Sequence, residues 1–219
     1  METSNKEKLI IGITGGIGAG KTTFAKLLEK KGCKVIYTDA LAKRVINENK
    51  KVQFQLIENF GMHTFLNGEY NSEYIAFLVF SDKNRLIKLN QILIPPVIDA
   101  VVKEIDELDD SHRFVFVESA LIYEFELEEG FDYVVCVTAK LEIRQQRISE
   151  HFQKRMKSQL TQEEKNNLAD FVIENNKDIA ELEKAATSLL EILELLPNRV
   201  YEDPDATEDD DEDDEVDGE

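Results

Sequence analysis

Short apolar runs alternate with longer amphipathic ones along most of the chain. Leu9–Thr14 (LIIGIT) has the length and β-branched content of a buried strand. Glycines follow it, and Thr22–Lys31 then sets Phe24, Ala25, Leu27 and Leu28 on one helical face until Gly32 stops the helix. Lys34–Tyr37 predicts a second strand, with Asp39 placed to cap the next helix. Arg113–Glu118, Asp132–Thr138 and Phe171–Glu174 predict three more strands, and Ile179 to about Leu195 a closing helix before Pro197. Strands separated by helical stretches predict an α/β fold on a five-stranded, parallel sheet.

Two long segments interrupt this alternation. Residues 52–108 read as helical with no strong strand; Gly61 and Asn67-Gly68 punctuate them, and Pro95-Pro96 predicts a break before a helix over Val97–Leu108. Residues 141–167 are a second charged helical region, in which Arg144, Arg147, Lys154, Arg155 and Lys157 concentrate positive charge.

The overall charge of −19 changes meaning once it is located. Residues 202–219 hold 13 Asp and Glu and no Lys or Arg, leaving −6 for residues 1–201, the predicted folded domain. A segment with so few apolar residues and so much like charge is expected to be a disordered tail. So acidic a chain is not expected to bind nucleic acid. No stretch approaches the roughly 20 apolar residues of a bilayer span. Met1–Lys8 is polar and charged, and Leu9–Ile13 is too brief for the apolar region of an export signal, so the expectation is a cytoplasmic protein without a membrane partner. Cys33 and Cys136 lie outside any CxxC or metal-ligand spacing and read as core residues. His63, His112 and His151 are scattered, so protein-held zinc is not expected.

The candidate chemistry sits at the first strand–helix junction. Gly15–Thr22 (GGIGAGKT) matches GxxxxGK[ST], a loop whose glycines let successive N–H groups converge on one anion-sized hollow at a helix N-terminus. Gly16, Gly18, Ala19, Gly20, Lys21, Thr22 and Thr23 are therefore the candidate nucleotide-binding residues. Lys21 would reach the β- and γ-phosphates and the Thr22 hydroxyl would bind Mg²⁺, which makes ATP and Mg²⁺ the expected cofactors. A GTPase is disfavoured: no glycine follows an Asp by three residues, and Asn176-Lys177-Asp178 carries its Asp one position too early. A small-molecule kinase fits the chain's size. Asp39, just past the second strand, falls at the carboxyl edge where open α/β sheets bind ligands and where a carboxylate can orient an attacking hydroxyl. Spacing alone serves a helix cap equally well.

At this point the residues resemble a known family. Gly12–Thr23 (GITGGIGAGKTT) and Gly32–Val45 (GCKVIYTDALAKRV) are similar to the opening of dephospho-coenzyme A kinases, with Asp39 at the second Asp of that family's Asp-Ala-Asp stretch. Ala120–Glu124 (ALIYE) resembles its Pro-Leu-Leu-Phe-Glu. Gln159–Lys165 (QLTQEEK) followed by Ala169–Asn176 (ADFVIENN) resembles its Gln-x5-Lys and Ala-Asp-x-Val-Ile-Asp-Asn run. The likeness spans about residues 9–195 in one order. It implies a P-loop kinase fold with a helical substrate-binding insertion (52–108) and a helical lid (141–167). It also implies transfer of the ATP γ-phosphate to the ribose 3′-hydroxyl of dephospho-coenzyme A, the last step of coenzyme A biosynthesis. Asp39 and Lys21 would be catalytic, the lid arginines Arg147 and Arg155 would neutralise the transferring phosphoryl group, and Asn175 would lie by the adenine. Glu118 and Glu124 are assigned no catalytic role.

Some positions depart from the family pattern. Tyr37 replaces the first Asp of Asp-Ala-Asp, Ile94-Pro95 stands for a His-Pro pair, His151 occupies a common lid-arginine position, and the lid from Arg147 to Gln159 is short. The alternative they raise is a P-loop kinase for another nucleoside or small alcohol.

Overall fold

The computed structural model describes residues 8–148 and 159–198. Among them, five strands pair in parallel in the spatial order β2 (Lys34–Tyr37), β5 (Phe114–Glu118), β1 (Leu9–Thr14), β6 (Tyr133–Thr138) and β7 (Phe171–Glu174). The central three are buried on both faces, which is why they read as unbroken apolar runs. On one face, Phe24, Ala25, Leu27 and Leu28 of α1 (Lys21–Lys30) and Leu182, Ala186, Leu189 and Leu193 of α8 (Ile179–Leu193) pack on Ile11, Ile13, Phe116, Val135 and Val137. On the other face, Val115, Val117 and Val134 meet Leu41 of α2 (Thr38–Glu48), Ile122 and Phe131.

Between β2 and β5 the chain builds a helical layer with its own core. α2, α3 (Lys50–Phe60), α4 (Ser72–Ser81) and α5 (Lys83–Asp106) bring together Val45, Ile46, Val52, Leu56, Phe60, Ile75, Val79 and Ile92. The connection leaving β1 runs toward β2, whereas the one leaving the adjacent β5 runs toward β6. That divergence opens a crevice at the carboxyl edge of the sheet, where α/β folds place ligands. Among the described residues, no helix is long and apolar enough to cross a membrane.

Several local expectations need correction. Pro95 and Pro96 do not break the helix: α5 runs unbroken over 24 residues. Packing on both sides of the prolines, through Ile92 and Leu93 before them and Val97 and Ala100 after, outweighs the lost helix hydrogen bonds. The insertion also contains a two-residue hairpin, β3 (Phe65–Leu66) with β4 (Glu69–Tyr70). Asn67 (φ 52°) and Gly68 (φ 86°) supply the paired left-handed turn that such hairpins demand. Asp39 does not cap α2. Tyr37 holds the cap position without a side-chain bond, and Asp39 lies inside the first turn, where its negative charge complements the helix dipole. The 141–167 region contributes α6 (Leu141–Gln146) and α7 (Gln162–Leu168). Arg155, His151 and the 202–219 tail lie outside the described residues.

Candidate active site

The Gly15–Thr22 loop wraps the carboxyl end of β1 and delivers the chain into α1. Its curl is held internally by Ala19 N–H donating to Gly16 O (3.1 Å) and by Phe24 N–H donating to Gly20 O (3.0 Å). Gly20 sits at φ 99°, ψ 25°, a left-handed conformation at the mouth of the helix that costs glycine nothing. A Cβ at this position would lie 2.1 Å from Asn175 Nδ2, so glycine is required on both counts. Asn175, buried after β7, donates from Nδ2 to Ala19 O at 2.8 Å, and its backbone N–H donates to Thr138 O at 2.7 Å. The loop is thereby tied to the far side of the sheet. Thr22 and Thr23 are exposed in the first turn of α1.

Lys21 donates from Nζ to Gly15 O (3.0 Å) and Gly16 O (3.4 Å), folding over the loop it belongs to. Burial holds its pKa below the usual lysine range, and the Glu118 and Asp39 carboxylates pull the other way. Glu118, the last residue of β5, has its pKa raised, chiefly by burial and further by Asp39, while Lys21 opposes the shift. The Thr22 hydroxyl donates to Glu118 Oε2 at 3.4 Å. Thr38 Oγ1 donates to Glu118 O (3.0 Å) and pins the start of α2 to the end of β5, which sets the exposed Asp39 beside the same cluster. Lys21, Thr22, Asp39 and Glu118 thus converge from three different strand ends. Thr22 and Glu118 offer the hard oxygen donors that suit a Mg²⁺ ion carried largely by substrate phosphates. Tyr37, the register partner of Glu118, packs with the α1-side core. Burial first, and the Glu29 carboxylate second, push its phenol up.

The return of the chain after residue 158 is anchored by a buried ion pair. Lys165 of α7 is fully buried, with Nζ 2.7 Å from Glu124 Oε1 and a further hydrogen bond to Ala120 O. Glu124 also accepts from Leu160 N–H at 2.9 Å. Arg147, at the end of α6, donates from Nη1 to Gly18 O (3.2 Å) and Ala19 O (3.3 Å), and from Nη2 to Asn175 O (3.2 Å). It therefore touches the carbonyl side of the loop, between the loop and the end of β7.

Two contacts had no counterpart in sequence reasoning. Arg144, 5% exposed, donates from Nε to Ile17 O at 2.8 Å, and Gln162 Oε1 accepts from Gly16 N–H at 2.9 Å. Arg144 figured only in a basic run and Gln162 only within a longer motif. Contacts spanning 127 and 146 residues leave no periodic trace. Glu118, a strand-end acid assigned no catalytic role, is brought against Thr22.

Comparisons with known proteins point to one family. The dephospho-CoA kinase family profile matches residues 9–181. A dephospho-CoA kinase of Salinibacter ruber is 35% identical over 188 residues, covering 82% of this chain and 94% of that protein. A dephospho-CoA kinase of Fusobacterium nucleatum is 36% identical over 193 residues, covering 84% and 98%. Among solved structures, a Thermus thermophilus protein superposes with a TM-score of 0.72 at 34% identity, over 86% of this chain and 99% of its own. A dephospho-CoA kinase from Campylobacter jejuni shares the fold, with a TM-score of 0.64 at 24% identity over 85% and 98%. With its loop, its strand-end acids and its Glu124–Lys165 anchor carried on that fold, the chain belongs to the dephospho-CoA kinase family.

Proposed function

We propose that this protein transfers the γ-phosphoryl group of ATP to the ribose 3′-hydroxyl of dephospho-coenzyme A, giving coenzyme A and ADP. Family membership supports the acceptor. The observation that carries the mechanism is the convergence of Lys21, Thr22, Asp39 and Glu118 at the carboxyl edge of the sheet. In this reading the loop N–H groups and Lys21 hold the triphosphate. The Thr22 hydroxyl and the Glu118 carboxylate are the residues that would hold Mg²⁺. When bound, Mg²⁺ neutralises phosphate charge and orients the transferring group.

Asp39 accepts the proton of the 3′-hydroxyl as its oxygen bonds to the γ-phosphorus, and the bond from that phosphorus to the β–γ bridging oxygen breaks. Asp39 suits the role because it is exposed on a rigid first helical turn, facing the crevice cluster rather than spent as a cap. The helical insertion over residues 52–108 takes the acceptor, and the 141–167 region acts as the lid. Arg147 borders the nucleotide and Arg155 is assigned to the phosphoryl group. Asn175 borders the adenine. The protein works in the cytoplasm.

The test is product identification. ATP, Mg²⁺ and dephospho-coenzyme A are incubated with the full chain, and ³¹P NMR should show a new 3′-phosphomonoester matched by ADP. ADP formation with an unmodified acceptor would refute the proposal.

A further inference from the structure

We propose that Arg144 and Gln162 are positioning residues that orient the phosphate-binding loop from its outer side. The inference rests on the reading that this loop takes ATP. The two residues come from the helices on either side of residues 149–158, α6 and α7, and they grip adjacent residues of the loop. Gln162 accepts from Gly16 N–H at 2.9 Å, which requires its oxygen to face the loop. Its amide nitrogen then donates to Asn166 Oδ1 (2.9 Å) and Cys136 Sγ (3.2 Å), so the amide is fixed from behind. Cys136 is itself fully buried, with its thiol pushed up to about 11 chiefly by burial, so it remains a neutral partner for that amide.

Arg144 acts on the next peptide. Its Nε donates to Ile17 O at 2.8 Å. In a trans peptide the C=O and the following N–H point in opposite directions, so holding Ile17 O outward turns Gly18 N–H inward. Arg147 and Asn175 do the same for the Ala19–Gly20 peptide: their bonds to Ala19 O direct Gly20 N–H away from the gripped side, while Ala19 N–H closes the curl on Gly16 O. A loop whose donors already point one way loses less freedom when an anion docks. The grip also explains Gly16, which lies outside the left-handed glycines of the loop. A Cβ there would sit 2.4 Å from Arg144 Nη2 and 2.7 Å from Gln162 Oε1, so the position is closed by these two side chains.

The experiment uses the full chain with Arg144→Lys and Gln162→Met, measuring MgATP affinity by titration calorimetry and both KM values from initial rates. Each variant should weaken MgATP about tenfold, as for loss of one well-placed hydrogen bond, and raise the ATP KM in step. The KM for dephospho-coenzyme A should stay within about twofold and the melting temperature within a few degrees. Wild-type ATP affinity in both folded variants would overturn the proposal. So would equal rises in both KM values with a lower melting temperature, because that pattern marks a merely structural role. If the unsubstituted chain binds no ATP, it is the kinase reading that fails, and this result is separable from the other two.

Discussion

Replacing Glu124 by Gln removes the charge that compensates a fully buried lysine. Lys165 has 0% of its side chain exposed and Glu124 11%, so water can reach neither well enough to substitute. In the native protein the carboxylate accepts from Lys165 at 2.7 Å and 3.0 Å and from Leu160 N–H at 2.9 Å. A glutamine oxygen in the Oε1 place can still accept from both neighbours, but the side chain carries no charge and turns its NH₂ toward Lys165 at the Oε2 place. Breaking a buried pair by removing one partner costs about 3–5 kcal/mol. Ala120 O still accepts from Lys165, which places the expected loss near the lower end, about 3 kcal/mol. For a domain of this size, each kcal/mol lowers the melting temperature by roughly 2–4 °C, so a fall of about 6–12 °C should appear by calorimetry. Replacing both partners, Glu124→Leu with Lys165→Met, should recover most of that loss, since buried pairs are often matched by apolar residues of similar size. A Glu124→Gln loss below about 1 kcal/mol, or a double variant less stable than the single one, would refute this account of the anchor.

Further predictions concern the loop and the acids. Gly20→Ala forces a left-handed alanine and drives its Cβ against Asn175 Nδ2. The strain and the disturbed Asn175–Ala19 bond together should cost about 2–3 kcal/mol in urea unfolding and impair ATP binding; an unchanged midpoint would contradict the geometry. Proton exchange on MgATP binding should change sign with pH. Glu118 begins with a raised pKa and should release a proton on the acid side as a cation favours its carboxylate. Lys21 begins with a lowered pKa and should take one up on the alkaline side as phosphate favours its ammonium form. Calorimetry in buffers of differing ionisation enthalpy measures this, and Glu118→Gln should abolish the acid-side release; a profile identical to wild type would contradict the assignment.

The central strands and the helices packed on them were legible because burial on both faces writes continuous apolar runs, and the half-exposed edge strand Phe171–Glu174 was read to the residue. Pro95-Pro96 misled because local propensity is weaker than packing along α5. The Asn67-Gly68 hairpin is so short that its turn chemistry stood alone without a strand pattern beside it. In the site, the loop was legible as a motif, because its function demands particular residues at fixed spacing. The Glu118–Thr22 contact and the outer grip by Arg144 and Gln162 were not. They join residues far apart in the chain, and only the parallel sheet order brings them to one edge.

In the proposed reaction Asp39 serves the acceptor hydroxyl while the loop serves ATP. This division of roles is tested most directly by comparing wild-type and Asp39→Asn initial rates with dephospho-coenzyme A. The carboxamide keeps the size of Asp39 in an exposed first helical turn but cannot take a proton. In the variant kcat should fall by about 10²–10⁴-fold, with the ATP KM nearly unchanged. Turnover equal in the two proteins would contradict this role of Asp39.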